Sequence, residues 1–291
     1  MGNFITSPFL LALSLLTRIP VKTGVSGDLE WGRSSGYFPL CGYILGFISA
    51  LPFMLLSFFG NNTQLSAYAI NILGAFFFVA VLAWLTKMFH IDGFCDACDA
   101  FTSTASTKED RLRIMKDPHP GTAANAYLSL LFIGKMLAVY FVIIYGQVYA
   151  TERFLMMYRE QLNQHINLLK ACRALAPLGF LVAIPVIARF AMLLLAASSR
   201  YPREKGTGAI IVGKVPIVFL VLGFVWLVPF GFLIPLRNLA LAVLLSWFVL
   251  MYWKIKAGKL LGGVTGDILG ACCETAELAA AFGLILPEIL M

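Results

Sequence analysis

The chain has 291 residues, 60% of them hydrophobic and 13% charged, with a mean hydropathy of +0.85, where an ordinary soluble domain carries roughly 25% charged residues. That balance excludes a soluble globular protein, and long Leu, Phe, Ile and Ala runs without polar alternation exclude a transmembrane β-barrel. The net charge of +7 reads as the basic excess of cytoplasmic loops rather than as a nucleic-acid surface. The fold class predicted is all-α: a polytopic helical bundle in the lipid bilayer, with about seven or eight membrane segments in one domain over residues 1–291.

In chain order, residues 4–17 form a short apolar piece that either spans or dips into the bilayer. No lysine or arginine precedes it and "TRIPVK" is not a small-residue cleavage site, so it is expected to stay in the mature protein. Residues 37–59 and 65–89 are each long enough to span, and only "GNNTQ" lies between them. So short and uncharged a connection predicts a hairpin loop on the translocated side, with the other ends of both helices in the cytoplasm. Further spans are predicted at 125–148, 174–198, 209–236, 238–253 and 268–290. Alternation then gathers 18–36, 90–124, 199–208 and 254–267 on one side, which carries most of the lysines and arginines. Segment 151–173 does not fit this pattern and is expected to lie as an amphipathic helix in the interface.

The densest negative charge follows the 65–89 span directly, in "HIDGFCDACD" from His90 to Asp99. On a helix, Asp92, Asp96 and Asp99 fall within about 60° of one another, a stripe roughly 10 Å long. Carboxylates so placed repel one another unless a cation lies among them, and Mg²⁺, which bridges one or two carboxylates to substrate phosphates, is the natural choice. Acidic groups at membrane depth are costly and usually functional, although a solvated helix end would also place aspartates here. His90 could orient a substrate hydroxyl or take its proton, or act only as a polar cap. Cys95 and Cys98 lack the two further ligands that zinc needs. Of the six cysteines, Cys41 and Cys172 lie in or beside apolar segments and Cys272 and Cys273 are adjacent, so no disulfide framework is legible.

A second acidic group, Asp267, Glu274 and Glu277, lies in "GGVTGDILGACCETAEL", again on one helical face and on the same predicted side. Gly262, Gly263 and Gly266 leave backbone N–H groups free at a helix start, where the dipole favours phosphate; a small-xxx-small packing role for Gly266 and Gly270 is equally compatible. Cations on that side include Lys116 in "RLRIMKDPHPGT" and Arg200, Arg203 and Lys205 in "RYPREKGTG". Arg189 lies inside an apolar span, where it needs an ion partner or a substrate phosphate. The residues thus describe a membrane enzyme for phosphorylated substrates without naming one.

Taken together, "LLTRIPV", "GYFPLCGYILG", His90-x-Asp92-Gly93-x-x-Asp96-x-x-Asp99, "RIMKDPHPGT", "ARFAM" and "GGVTGDILGACCETAEL" resemble the adenosylcobinamide-GDP ribazoletransferases, or cobalamin synthases, over nearly the whole chain. The resemblance implies a bacterial cytoplasmic-membrane enzyme with its site facing the cytoplasm. Its reaction would join adenosylcobinamide-GDP to α-ribazole, or its 5′-phosphate, with release of GMP and dependence on Mg²⁺. It implies that Asp92, Asp96 and Asp99 hold Mg²⁺, with Asp267 and Glu274 or Glu277 as further ligands or base. Asp96, His90 and Asp267 would be the catalytic groups, while Lys116, Arg189, Arg203 and Gly266 would hold substrate. Self-association is left open. Competing readings are a CDP-alcohol phosphotransferase-like or prenyltransferase-like enzyme, or a cation transporter, which would place its acidic groups near midspan.

Overall fold

The structure is a computed structural model that describes residues 3–22, 28–60, 63–158, 165–203 and 206–290. Its helices are α1 (Asn3–Leu16), α2 (Asp28–Ser34), α3 (Phe38–Phe59), α4 (Gln64–Leu85), α5 (Phe89–Thr102), α6 (Lys108–Ile114), α7 (Thr122–Tyr158), α8 (Ile166–Ala197), α9 (Ile217–Val225), α10 (Phe230–Leu233), α11 (Leu236–Leu261) and α12 (Gly266–Ile289), with no strand among the described residues. This is the polytopic all-α bundle the sequence predicts. Lys205 lies outside the described residues.

Among the described residues, six helices are long and apolar enough to cross a membrane: one over Glu30–Phe59, then α4, α7, α8, α11 and α12. The predicted span at 209–236 is corrected. Its residues form a 3-10 turn at Thr207–Ile210 and then two short helices, α9 and α10, because Pro216, Pro229 and Pro235 each stand where a new helical piece begins. The span predicted to run to residue 89 ends at Leu85. The interfacial helix expected at 151–173 is also corrected: α7 runs on to Tyr158 and α8 starts at Ile166, while 159–164 lie outside the described residues.

Two helices form the middle of the bundle. Both α8 and α12 are buried along most of their length, whereas α3, α4, α7 and α11 keep exposed apolar faces suited to lipid. Small residues allow the close approaches. Gly42 and Gly46, one helical turn apart on α3, sit against the α8 backbone near Val182 and Pro185, and a Cβ on Gly42 would come within 2.8 Å of the Pro185 carbonyl oxygen. On α12, Gly283 meets the backbone of Ala242 on α11.

Hydrogen bonds tie several loops together at one end. The Arg18 N–H donates to the Leu85 carbonyl at 2.7 Å and its Nε to that of Trp84 at 2.6 Å, so a cation covers the last carbonyls of α4. Arg203 donates to the Leu112 carbonyl at 3.2 Å, and the Val264 N–H to that of Arg200 at 2.9 Å. These contacts join residue 18 to the end of α4, and residues near 112 and 264 to the segment at 200–203. They fall in or beside the segments that charge alternation assigned to a common side.

Candidate active site at one end of the bundle

The site begins with a broken helix. After Leu85 the chain passes through Lys87 and Met88, both with φ +57, and then restarts as α5. Left-handed backbone is strained for such side chains and persists only where the surroundings impose it. The turn lays α5 across the start of α12. At the crossing, a Cβ on Gly93 would come within 2.7 Å of the Asp267 carbonyl oxygen, and one on Gly270 within 3.0 Å of the His90 backbone. Only glycines permit this approach, and it sets the carboxylates of α5 beside the first turn of α12.

Asp92 is exposed, while Asp96 and Asp267 are half-buried. Burial, together with the charges of Asp92, Asp267 and Asp99, pushes the Asp96 carboxyl up to about 7. Asp267 is the second residue of α12, where Thr265 caps the helix by accepting from the Ile268 N–H at 3.3 Å. The guanidinium of Arg203 stands 4.0 Å from the Asp267 carboxylate. Close by, a Cβ on Gly208 would come within 2.7 Å of the Gly266 nitrogen and 2.9 Å of the Tyr201 ring, so the chain passes tightly against the helix start. Asp92, Asp96, Asp267, Arg203 and Gly266 thus form one acidic mouth with a cation at its edge.

Asp99 has a different environment. Its two carboxylate oxygens accept from the Gly121 N–H at 2.6 Å and the Ala124 N–H at 2.9 Å, which places its charge at the start of α7, where the helix dipole favours an anion. Sequence spacing put Asp99 in the stripe, yet it is committed to this cap.

Glu274 and Glu277 are corrected more fully. Both are buried among α7, α8 and α12, where the Lys135 ammonium donates to each at 2.5 Å and Arg189 donates to Glu277. Two cations and two carboxylates are held there, all at or below 7% side-chain exposure. Placed eight and eleven residues down α12 from Gly266, these glutamates already have their counter-ions and do not extend the acidic mouth. Arg189, with no exposed surface, is likewise withdrawn from any substrate. The intramembrane partner that an arginine inside an apolar span requires is Glu277. Lys135 was missed, although a lysine within the predicted span 125–148 carries the same signal. Four midspan charges would suit a transporter, but here each answers another.

His90 is 2% exposed. Burial first, then the positive charge of Arg189, pushes its imidazole down to about 3, so it is neutral at physiological pH. It is a buried packing residue beneath the mouth, which corrects its expected role as a group touching substrate. Lys116 is exposed just beyond α6. Burial raises the Cys95 and Cys98 thiols to about 11 and about 12, against the thiolates that zinc takes.

Among the described residues, no three His, Cys, Asp or Glu side chains stand together as a ready-made metal ligand set. Mg²⁺ asks for less than that. It keeps several waters and binds through one or two carboxylates plus substrate phosphates, and a crowd of carboxylates repelling one another around Asp96 fits that demand.

Comparison with known proteins bears on what acts here. The family model described as cobalamin-5-phosphate synthase matches residues 8–285. The chain is 31% identical over 284 residues to an adenosylcobinamide-GDP ribazoletransferase of Klebsiella pneumoniae strain 342, covering 95% of this chain and 98% of that protein. It is 31% identical to the protein of that name in Clostridioides difficile strain 630, over 93% of each chain. For the one in Acinetobacter baumannii the identity is 28%, over 96% of this chain and 97% of the relative. No solved structure matches the chain.

Proposed function

From the premise that the chain belongs to the cobalamin-5-phosphate synthase family, we propose that it joins adenosylcobinamide-GDP to α-ribazole or its 5′-phosphate and releases GMP. The observation that carries this reading is the meeting of Asp92 and Asp96 on α5 with Asp267 and Arg203 at the start of α12. A ribose hydroxyl of the acceptor attacks the diphosphate phosphorus nearer the corrinoid. The bond from that phosphorus to the oxygen of GMP breaks, and the hydroxyl proton leaves. Such a transfer calls for alignment and charge neutralisation more than for covalent chemistry.

Each residue of the mouth has a task in this scheme. Asp92 and Asp267, with Asp96 between them, would hold Mg²⁺, which when bound neutralises the diphosphate. Asp96, crowded by the other carboxylates, would gain most from the charge of the cation. Arg203 faces the departing GMP phosphate, and the first backbone N–H groups of α12, at Gly266 and beyond, offer donors to phosphate oxygens. The basic residues of the neighbouring loops support placing the mouth on the cytoplasmic side of a bacterial inner membrane.

The test is incubation of the purified protein, in detergent or nanodiscs, with adenosylcobinamide-GDP, α-ribazole or its phosphate, and Mg²⁺. Chromatography should show cobalamin or its phosphate together with GMP. A folded preparation that forms neither, with or without the 5′-phosphate on the acceptor, would overturn the proposal.

A further inference from the structure

Helix α5 has a second face. Phe94 and Phe101 project roughly 140–160° around the helix from Asp96, into a groove of about 380 Å³. The groove is walled by α5, α7, α11 and α12 and is dominated by aromatic and aliphatic side chains, with Trp253 at its base and Tyr127 and Leu130 at its rim. Trp253 is 4% exposed and donates from Nε1 to the Thr275 hydroxyl at 2.8 Å, so the floor is polar-satisfied and closed. Its volume lies within the roughly 300–1,000 Å³ of ligand clefts.

A single cation stands at the mouth of this groove. Lys256 lies near the end of α11, its ammonium 5.9 Å from the ring centre of Phe101 and 5.6 Å from that of Tyr252. Among the described residues it makes no ion pair with a carboxylate; its neighbours are ring faces. Tyr127 lies early in α7 and Tyr252 late in α11, both at the end of the bundle that holds the acidic mouth. Tyrosines and a lysine at the ends of spanning helices mark headgroup depth. Apolar walls below and one uncompensated positive charge above match an anionic amphiphile in shape and in sign.

We propose that this groove binds one anionic phospholipid, its acyl chain against Phe94, Phe101 and Trp253 and its phosphate at Lys256. A basic recess between helices on the positive side of a membrane protein is where an anionic headgroup is recognised. The reacting substrates are not the occupant, because the groove opens on the opposite face of α5 from the aspartates. The lipid instead packs against the back of the helix that carries Asp92 and Asp96. This inference does not depend on which reaction the mouth performs.

The experiment uses the full chain in nanodiscs, with tryptophan quenching by brominated-chain phosphatidylglycerol or phosphatidylcholine as the readout. Subtracting the Trp253→Phe signal isolates Trp253 from the other tryptophans. Its quenching should show phosphatidylglycerol binding about fivefold more tightly than phosphatidylcholine, the size expected for one lysine near the surface. Lys256→Gln should remove that preference while leaving quenching by phosphatidylcholine in place. Equal quenching by the two lipids, or a preference that survives Lys256→Gln, would overturn the proposal. So would displacement of the brominated lipid by α-ribazole phosphate, which would make the groove a substrate subsite.

Discussion

Gly93 packs so closely on Asp267 that a methyl group there would lie 2.7 Å from the carbonyl oxygen of the aspartate. The neighbour is helix backbone, which cannot swing aside as a side chain can. Gly93→Ala must therefore separate α5 from α12, and misplacement on the scale of 1 Å is enough to cost about 100-fold in rate. We expect a folded protein with turnover reduced on that order. Gly270→Ala, at 3.0 Å from His90, should be milder. Rates within a few-fold of wild type for Gly93→Ala would show that the crossing does not set the catalytic geometry.

Asp92 and Asp99 should separate in a stability measurement. Asp99→Ala removes the anion that caps α7 and should lower stability by about 1–2 kcal/mol. Asp92→Asn changes an exposed side chain and should leave thermal unfolding in detergent nearly unchanged while abolishing activity. The opposite ranking would mean that the cap is dispensable and that Asp92 is structural.

The buried cluster of Lys135, Arg189, Glu274 and Glu277 gives a third contrast. Truncating one partner strands an uncompensated charge among apolar helices, and Lys135→Ala is expected to cost about 3–5 kcal/mol. Lys135→Met combined with Glu274→Gln removes one charge of each sign and should recover much of that loss. Thermal unfolding or yield of folded protein measures both. Additive losses in the double variant would show that Lys135 and Glu274 are not coupled.

The carboxyl of Asp96, raised from 3.8 to about 7, makes cation binding depend on pH. Below that value the site holds a proton that a divalent ion must displace, so Mg²⁺ affinity should climb between about pH 6 and pH 8. The sign for folding is the reverse. The folded metal-free protein binds more protons than the unfolded chain between pH 3.8 and about 7, so this group's contribution to stability falls as pH rises through that window. Titration calorimetry in buffers of different ionisation enthalpy should detect proton release on Mg²⁺ binding near pH 6.5, and Asp96→Asn should remove it. Release that persists in the variant would assign the proton elsewhere.

Parts of this arrangement were legible in the sequence, for physical reasons that differ residue by residue. Spacings of four and three place Asp92, Asp96 and Asp99 on one stripe whatever surrounds them, and that periodicity needs no tertiary knowledge. Spacing could not show that Asp99 faces Gly121 and Ala124, since the start of α7 becomes its neighbour only after α5 turns back. Spacing set Glu274 and Glu277 on the helix that begins with Asp267, but depth along α12 decided their role, and that depth brought Lys135 and Arg189 within reach. The stretch at 209–236 was apolar enough to read as one span. A hydropathy window averages over Pro216, Pro229 and Pro235, whereas the backbone responds to each proline separately.

The turn at Lys87 and Met88 fixes more than a direction. Each residue of an α-helix advances about 100° around its axis, so the length of this two-residue joint sets the rotational phase of α5 against α12. Removing one residue would carry Asp96 away from Asp267 and roll it toward the groove of Phe94 and Phe101, leaving composition, hydropathy and the count of acidic groups almost as they were. Two strained residues thus decide which side of one short helix faces the acidic mouth and which side lines the groove of Phe94 and Phe101.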